Sequence, residues 1–150
     1  QRVHHRLSAS VGEGQVVLQA ALGAGAALHH IVPVSGLLGE HLVNLRDIYR
    51  DRVSVMASGL AAALPGARFE VPGGGYYFWV TLSDGVDASE LERHALEAGV
   101  TLRPGTAFSG EGLFTNCIRV CFALSESDEI AEGLRRLGKA YAGLIGASSA

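Results

Sequence analysis

Leu38, Leu42, Leu45, Tyr49, Val53, Met56, Leu60 and Leu64 advance by steps of four, three, four, four, three, four and four. That spacing keeps one apolar stripe along a single side of a long α-helix. Arg46, Asp47, Arg50 and Asp51 fall on the wet side, where Asp47 attracts Arg50 and repels Asp51. Pro65-Gly66 ends the helix. A stripe of this length needs another layer to cover it, and the rest of the chain supplies short strands and two further helices.

Ala67–Val71 and Tyr76–Leu82 read as strands, the second dense in aromatic and β-branched residues, with Pro72-Gly73-Gly74-Gly75 turning the chain between them. Asp87-Ala-Ser-Glu90 is the signature of a helix start, Leu91, Ala95, Leu96 and Ala98 form that helix's inner side, and Gly99 closes it. Val100–Arg103 reads as a strand, Thr106–Asn116 as a loop and Asn116–Leu124 as a strand. Ser125, with Asp128 three residues on, starts a last helix to about Leu144, with Ile130, Leu134, Leu137 and Tyr141 inward. The expected class is α+β, a two-layer sandwich of long helices on a small, mostly antiparallel sheet over residues 37–150. Residues 1–36 stand apart as a poorly defined N-terminal segment. Gln15–Ala27 has helical composition weakened by Gly23 and Gly25, and the opening at Gln1 suggests a piece of something longer.

Charged residues make up 18% of the chain and hydrophobic ones 48%, against about 25% charge in an average soluble domain. Disorder is excluded, and part of the surface is expected to be covered by another body. A net charge of −3 offers no basic field for nucleic acid. The run Val16–Leu28 falls short of the roughly 20 residues that span a bilayer, so no membrane contact is expected. Two cysteines, Cys117 and Cys121, form no disulfide framework and suit a reducing, cytoplasmic setting. The adjacent pairs His4-His5 and His29-His30 point their rings apart, so no metal site is expected. Gly73–Gly75 lead into a strand rather than a helix N-terminus, which argues for a turn or a close backbone approach over a phosphate cradle.

The segment Asn116-Cys-Ile-Arg-Val-Cys-Phe122 carries the main chemical signal. On a strand Ile118, Val120 and Phe122 share one face, and Cys117, Arg119 and Cys121 the other. A guanidinium between two thiols must find an anion. Two readings are open: an ion pair with a carboxylate inside the domain, or a bidentate clamp on a substrate carboxylate, for which arginine's planar fork is suited. Arg119 could also depress a neighbouring thiol, although both cysteines read as small packed hydrophobes.

Pro72-Gly-Gly-Gly-Tyr-Tyr-Phe-Trp79, Gly99-Val100, Arg103-Pro-Gly-Thr-Ala-Phe108, Asn116-Cys-Ile-Arg119-Val-Cys-Phe-Ala123 and Glu132-Gly-Leu-Arg-Arg-Leu137 follow one another in that order. Together with His41-Leu-x-x-Leu-Arg-x-x-Tyr49-Arg50-x-Arg52, they resemble the C-terminal, small domain of fold-type I, pyridoxal-phosphate-dependent aminotransferases. The similarity is to the 2-aminoadipate/kynurenine group and to the aminotransferase-like halves of MocR/GntR-type transcription regulators, over roughly residues 37–145. The resemblance implies a parent enzyme, a homodimer, that moves an amino group from an amino acid to a 2-oxo acid. Arg119 would hold the α-carboxylate, with Tyr76, Tyr77 and Phe108 near the substrate entrance. It also implies that the Schiff-base lysine and the other groups that hold the cofactor belong to a large domain upstream. The single lysine, Lys139, matches no family lysine motif, so this chain alone is expected to hold no cofactor and to be inactive. Two rival readings are an effector-sensing half of a regulator and a stand-alone ligand-binding sandwich.

Overall fold

A computed structural model describes residues 16–17 and 37–148. The chain order is β1 (Val16–Val17), α1 (Leu37–Ala63), β2 (Arg68–Phe69), β3 (Tyr77–Thr81), α2 (Ala88–Glu97), β4 (Val100–Thr101), β5 (Arg103–Pro104), a 3-10 turn (Gly105–Phe108), β6 (Cys117–Cys121) and α3 (Ser127–Ser148). Four strands form an antiparallel sheet in the order β2-β3-β6-β5, and β1 pairs in parallel with β4.

The helices lie on one face of this sheet. Met56 and Leu60 of α1, Leu91 and Ala95 of α2, and Ile130, Leu134, Leu137 and Tyr141 of α3 share a core with Phe78, Val80, Ile118, Val120 and Phe122. The α+β two-layer sandwich expected from the pattern is therefore the fold. Within α1 the apolar stripe divides. Met56, Leu60 and the following Leu64 are buried, whereas Leu42 is 43% exposed at the other end, and Val43 and Ile48 are exposed beside it.

Local chemistry explains the boundaries. Gly66 has φ +83°, a conformation that favours glycine, and it closes α1. The Asp87 carboxylate accepts the backbone N–H groups of Ser89 and Glu90 and starts α2. Gly99, at φ +75°, ends it. At the start of α3, Glu129 Oε2 accepts the Glu126 N–H at 3.0 Å, and the Ser127 hydroxyl donates to Asp51 of α1. Buried Arg52 clamps the same corner, donating to the Ala123 carbonyl at 2.7 Å and to Glu126 Oε1 at 2.6 Å.

Several expectations are corrected. Val16–Val17 is a strand, not part of a helix, as suits two adjacent β-branched residues; the rest of Gln15–Ala27 lies outside the described residues. The expected strand Val100–Arg103 is two strands in different sheets, broken at buried Leu102, and Pro104 lacks the N–H that an interior strand would need. The expected Asn116–Leu124 strand is shorter, and Leu124 is exposed. Leu96 faces solvent rather than the inner side of α2. The 106–116 loop opens inside a 3-10 turn.

Candidate functional site

The helix-free face of the sheet is set by strand register. Trp79 lies directly opposite Arg119 across β3 and β6, Tyr77 opposite Cys121, Thr81 opposite Cys117, and Arg103 opposite Arg119 on the other flank. Alternation sends Phe78 and Val80 inward, leaving Tyr77, Trp79 and Arg119 on the outer face. The sequence placed Arg119 on the non-core face, and the geometry agrees.

The half-buried Arg119 side chain lies over two rings. Its Cζ lies 4.0 Å from the centroid of Tyr77 and 4.3 Å from that of Phe108. Phe108 is brought there by the 3-10 turn that follows Pro104. Trp79 supports it, meeting Phe108 at 5.8 Å and Phe114 at 5.6 Å, both edge-to-face. Phe114 has φ +63°, a strained conformation for a bulky residue. Its carbonyl accepts the Cys117 N–H at 3.0 Å, and the Ser109 hydroxyl accepts the N–H groups of Glu111 and Leu113 in the same loop.

Of the two readings of Arg119, the internal ion pair does not form among the described residues: each ion pair there involves another arginine or His94. The guanidinium instead lies over the Tyr77 and Phe108 rings on the outer face. An anion with a pair of oxygens, such as a carboxylate, suits its fork of N–H donors.

The other sequence candidates separate. Tyr77 and Phe108 both touch Arg119, but Tyr76 turns toward the helices. It packs at 5.8 Å on Tyr49 of α1, just as the strand alternation demands. Residues missed from sequence are Trp79 and Phe114, whose part depends on a loop fold that spacing does not reveal. Both thiols are buried. Burial pushes the Cys121 thiol up, with the Ala123 and Leu124 backbone and then Arg119 pulling weakly the other way, so the arginine does not activate it. Lys139 is exposed on α3 and lines a groove against α1, on the helix side of the sheet.

The aminotransferase class I and II family model matches residues 12–137. The chain is 37% identical over 107 residues to a 2-aminoadipate transaminase of Thermus thermophilus, covering 71% of this chain and 27% of that protein. The crystal structure of the α-aminoadipate aminotransferase LysN, also from Thermus thermophilus, superposes with a TM-score of 0.68 and 36% identity, over 73% of this chain and 28% of that one. An HTH-type transcriptional regulator of Escherichia coli, YjiR, is 26% identical over 71% of this chain and 23% of its own length. The chain thus spans about a quarter of the length of these relatives. With the family's pattern running through most of its residues and its fold, the chain belongs to the class I and II aminotransferases.

Proposed function

We propose that this chain is the small, carboxylate-binding domain of an aminotransferase that moves an amino group from an amino acid to a 2-oxo acid. Arg119 holds the substrate's α-carboxylate. The observation that carries the reading is a guanidinium on the open sheet face, lying over two rings and without a carboxylate partner among the described residues. The similarity to a 2-aminoadipate transaminase supports the reaction class.

Aminotransferases of this family depend on pyridoxal phosphate, which when bound supplies an electron sink for the electron pair left as the substrate's α-proton departs and carries the amino group between substrates. The described residues do not form a holder for it. The chain's one lysine lies on the helix side, away from Arg119, and the glycine run enters a strand. The cofactor's groups accordingly belong to the large domain, and this chain's part is to bind and orient substrate. Exposed apolar residues, Leu42, Val43 and Ile48 on α1 and Leu113 and Phe114 near the site, fit surfaces that meet that domain and a second subunit. No described helix is long and apolar enough to cross a membrane.

The test is Arg119→Gln in the full-length protein. Losing a charge-assisted pair should lower kcat/KM for amino donors roughly 10- to 100-fold. Unchanged kinetics, or a borohydride-trapped cofactor adduct at Lys139 with transamination by this chain alone, refutes the assignment. The similarity to an HTH-type regulator favours a second reading, in which the parent senses an amino acid and controls transcription. A winged-helix module encoded upstream of Gln1 would select it.

A further inference from the structure

We infer that Tyr77 and Phe108 are positioning residues: their rings hold the Arg119 guanidinium in place on the outer sheet face, so that a carboxylate meets a cation already fixed. The inference rests on the reading of Arg119 as a carboxylate holder and adds how that hold is made.

A guanidinium has two π-faces and a rim of N–H donors. Here the Arg119 Cζ lies over two rings, 4.0 Å from the Tyr77 centroid and 4.3 Å from the Phe108 centroid. The two rings come from independent elements, β3 and the 3-10 turn, so neither can shift without moving a separate part of the backbone. Trp79, opposite Arg119 in register, meets the Phe108 ring edge-to-face and is itself met by Phe114. A free arginine side chain carries a large rotamer entropy that a ligand must overcome on binding. Contact with the two rings reduces that freedom during folding. What remains is a fork of N–H donors held in one place, able to pair with two oxygens of one anion at once.

The experiment uses the ¹⁵N-labelled chain, with the Arg119 Nε–Hε signal identified by its loss in Arg119→Lys. Acetate is titrated at constant ionic strength. The wild-type signal is expected to be shifted upfield by the rings and to move on acetate addition. Phe108→Leu and Tyr77→Leu should each reduce the ring shift and weaken acetate binding roughly 3- to 10-fold, with circular dichroism showing the fold retained. Tyr77→Phe should restore both relative to Tyr77→Leu. A wild-type titration that is unaltered in both leucine variants overturns this inference alone. So does a Tyr77→Phe chain that behaves like Tyr77→Leu. A wild-type Arg119 signal with a ring shift but no response to acetate overturns the carboxylate reading itself, and the inference with it.

Discussion

Replacing Gly105 by alanine places a methyl group where the chain has closed around a hydrogen. A Cβ built there would lie 2.5 Å from the Phe114 carbonyl oxygen, 2.6 Å from Phe114 Cβ and 2.9 Å from Cys117 Cβ. None of these atoms is the far end of a flexible side chain, so backbone must move. Overpacking of this kind costs about 1–3 kcal/mol, while the stiffer unfolded chain returns about 0.4–1 kcal/mol. The net loss should be about 1–2 kcal/mol, a fall in Tm of roughly 3–10 °C for a domain of this size. The movement also strikes the site, because Gly105 opens the turn that carries Phe108, and Phe114 packs on Trp79. Trp79 is the chain's only tryptophan, so its emission reports the displacement directly. Gly143→Ala, where the added methyl meets nothing within 4 Å in the middle of α3, is the matched comparison. It should stabilise by about 0.5–1 kcal/mol through helix propensity and leave the emission unchanged. If Gly105→Ala melts within a degree of wild type with the same Trp79 emission, the packing argument for this corner is wrong.

Arg52→Ala should destabilise by about 2–3 kcal/mol in urea unfolding, because two charge-assisted hydrogen bonds are lost at once and the Ala123 carbonyl is left without its donor. Glu126→Gln should cost under about 1 kcal/mol, since that carboxylate is largely solvated; equal losses would refute the asymmetry. Hydrogen bonds from Arg135 and then Arg136 hold the Glu132 carboxyl at about 2, below its ordinary 4.5. A depressed carboxyl contributes stability that is complete above its ordinary value and is lost as pH falls through the lowered one. Glu132→Gln should therefore lower the urea midpoint modestly at neutral pH, leave it nearly unchanged near pH 2, and so flatten the acid limb between about pH 4.5 and 2. Cys117 and Cys121 should react slowly with a thiol reagent until urea unfolds the chain, and a fast native thiol would contradict their burial.

Much of this was legible in residue order, for identifiable reasons. Helix periodicity located α1, and Asp87 announced α2 through the backbone N–H groups its carboxylate can reach. Strand alternation put Arg119 on the face away from Ile118 and Val120. The same rule separates Tyr76 from Tyr77, although the resemblance alone grouped them. What alternation cannot convey is which remote segment covers a face. Phe108 reaches Arg119 only because the 3-10 turn folds back, and that turn depends on the unusual backbone at Phe114 and the bare Cα of Gly105. Periodicity likewise identifies a helix without saying how far along it the covering layer extends, so the exposure of Leu42 had no sequence signal.

The borders of the four-stranded sheet have a consequence for how copies of this chain meet. A bare border invites another chain to hydrogen-bond alongside it, the route by which sheets grow into aggregates. One border here, β5, is two residues long, with a charged residue, Arg103, and a residue without a donor, Pro104. The other, β2, is equally short; it begins at exposed Arg68, and Glu70 and Pro72 follow it closely. Neither offers a template for continuous strand addition, which leaves face-to-face contact as the route by which this sheet can join another body.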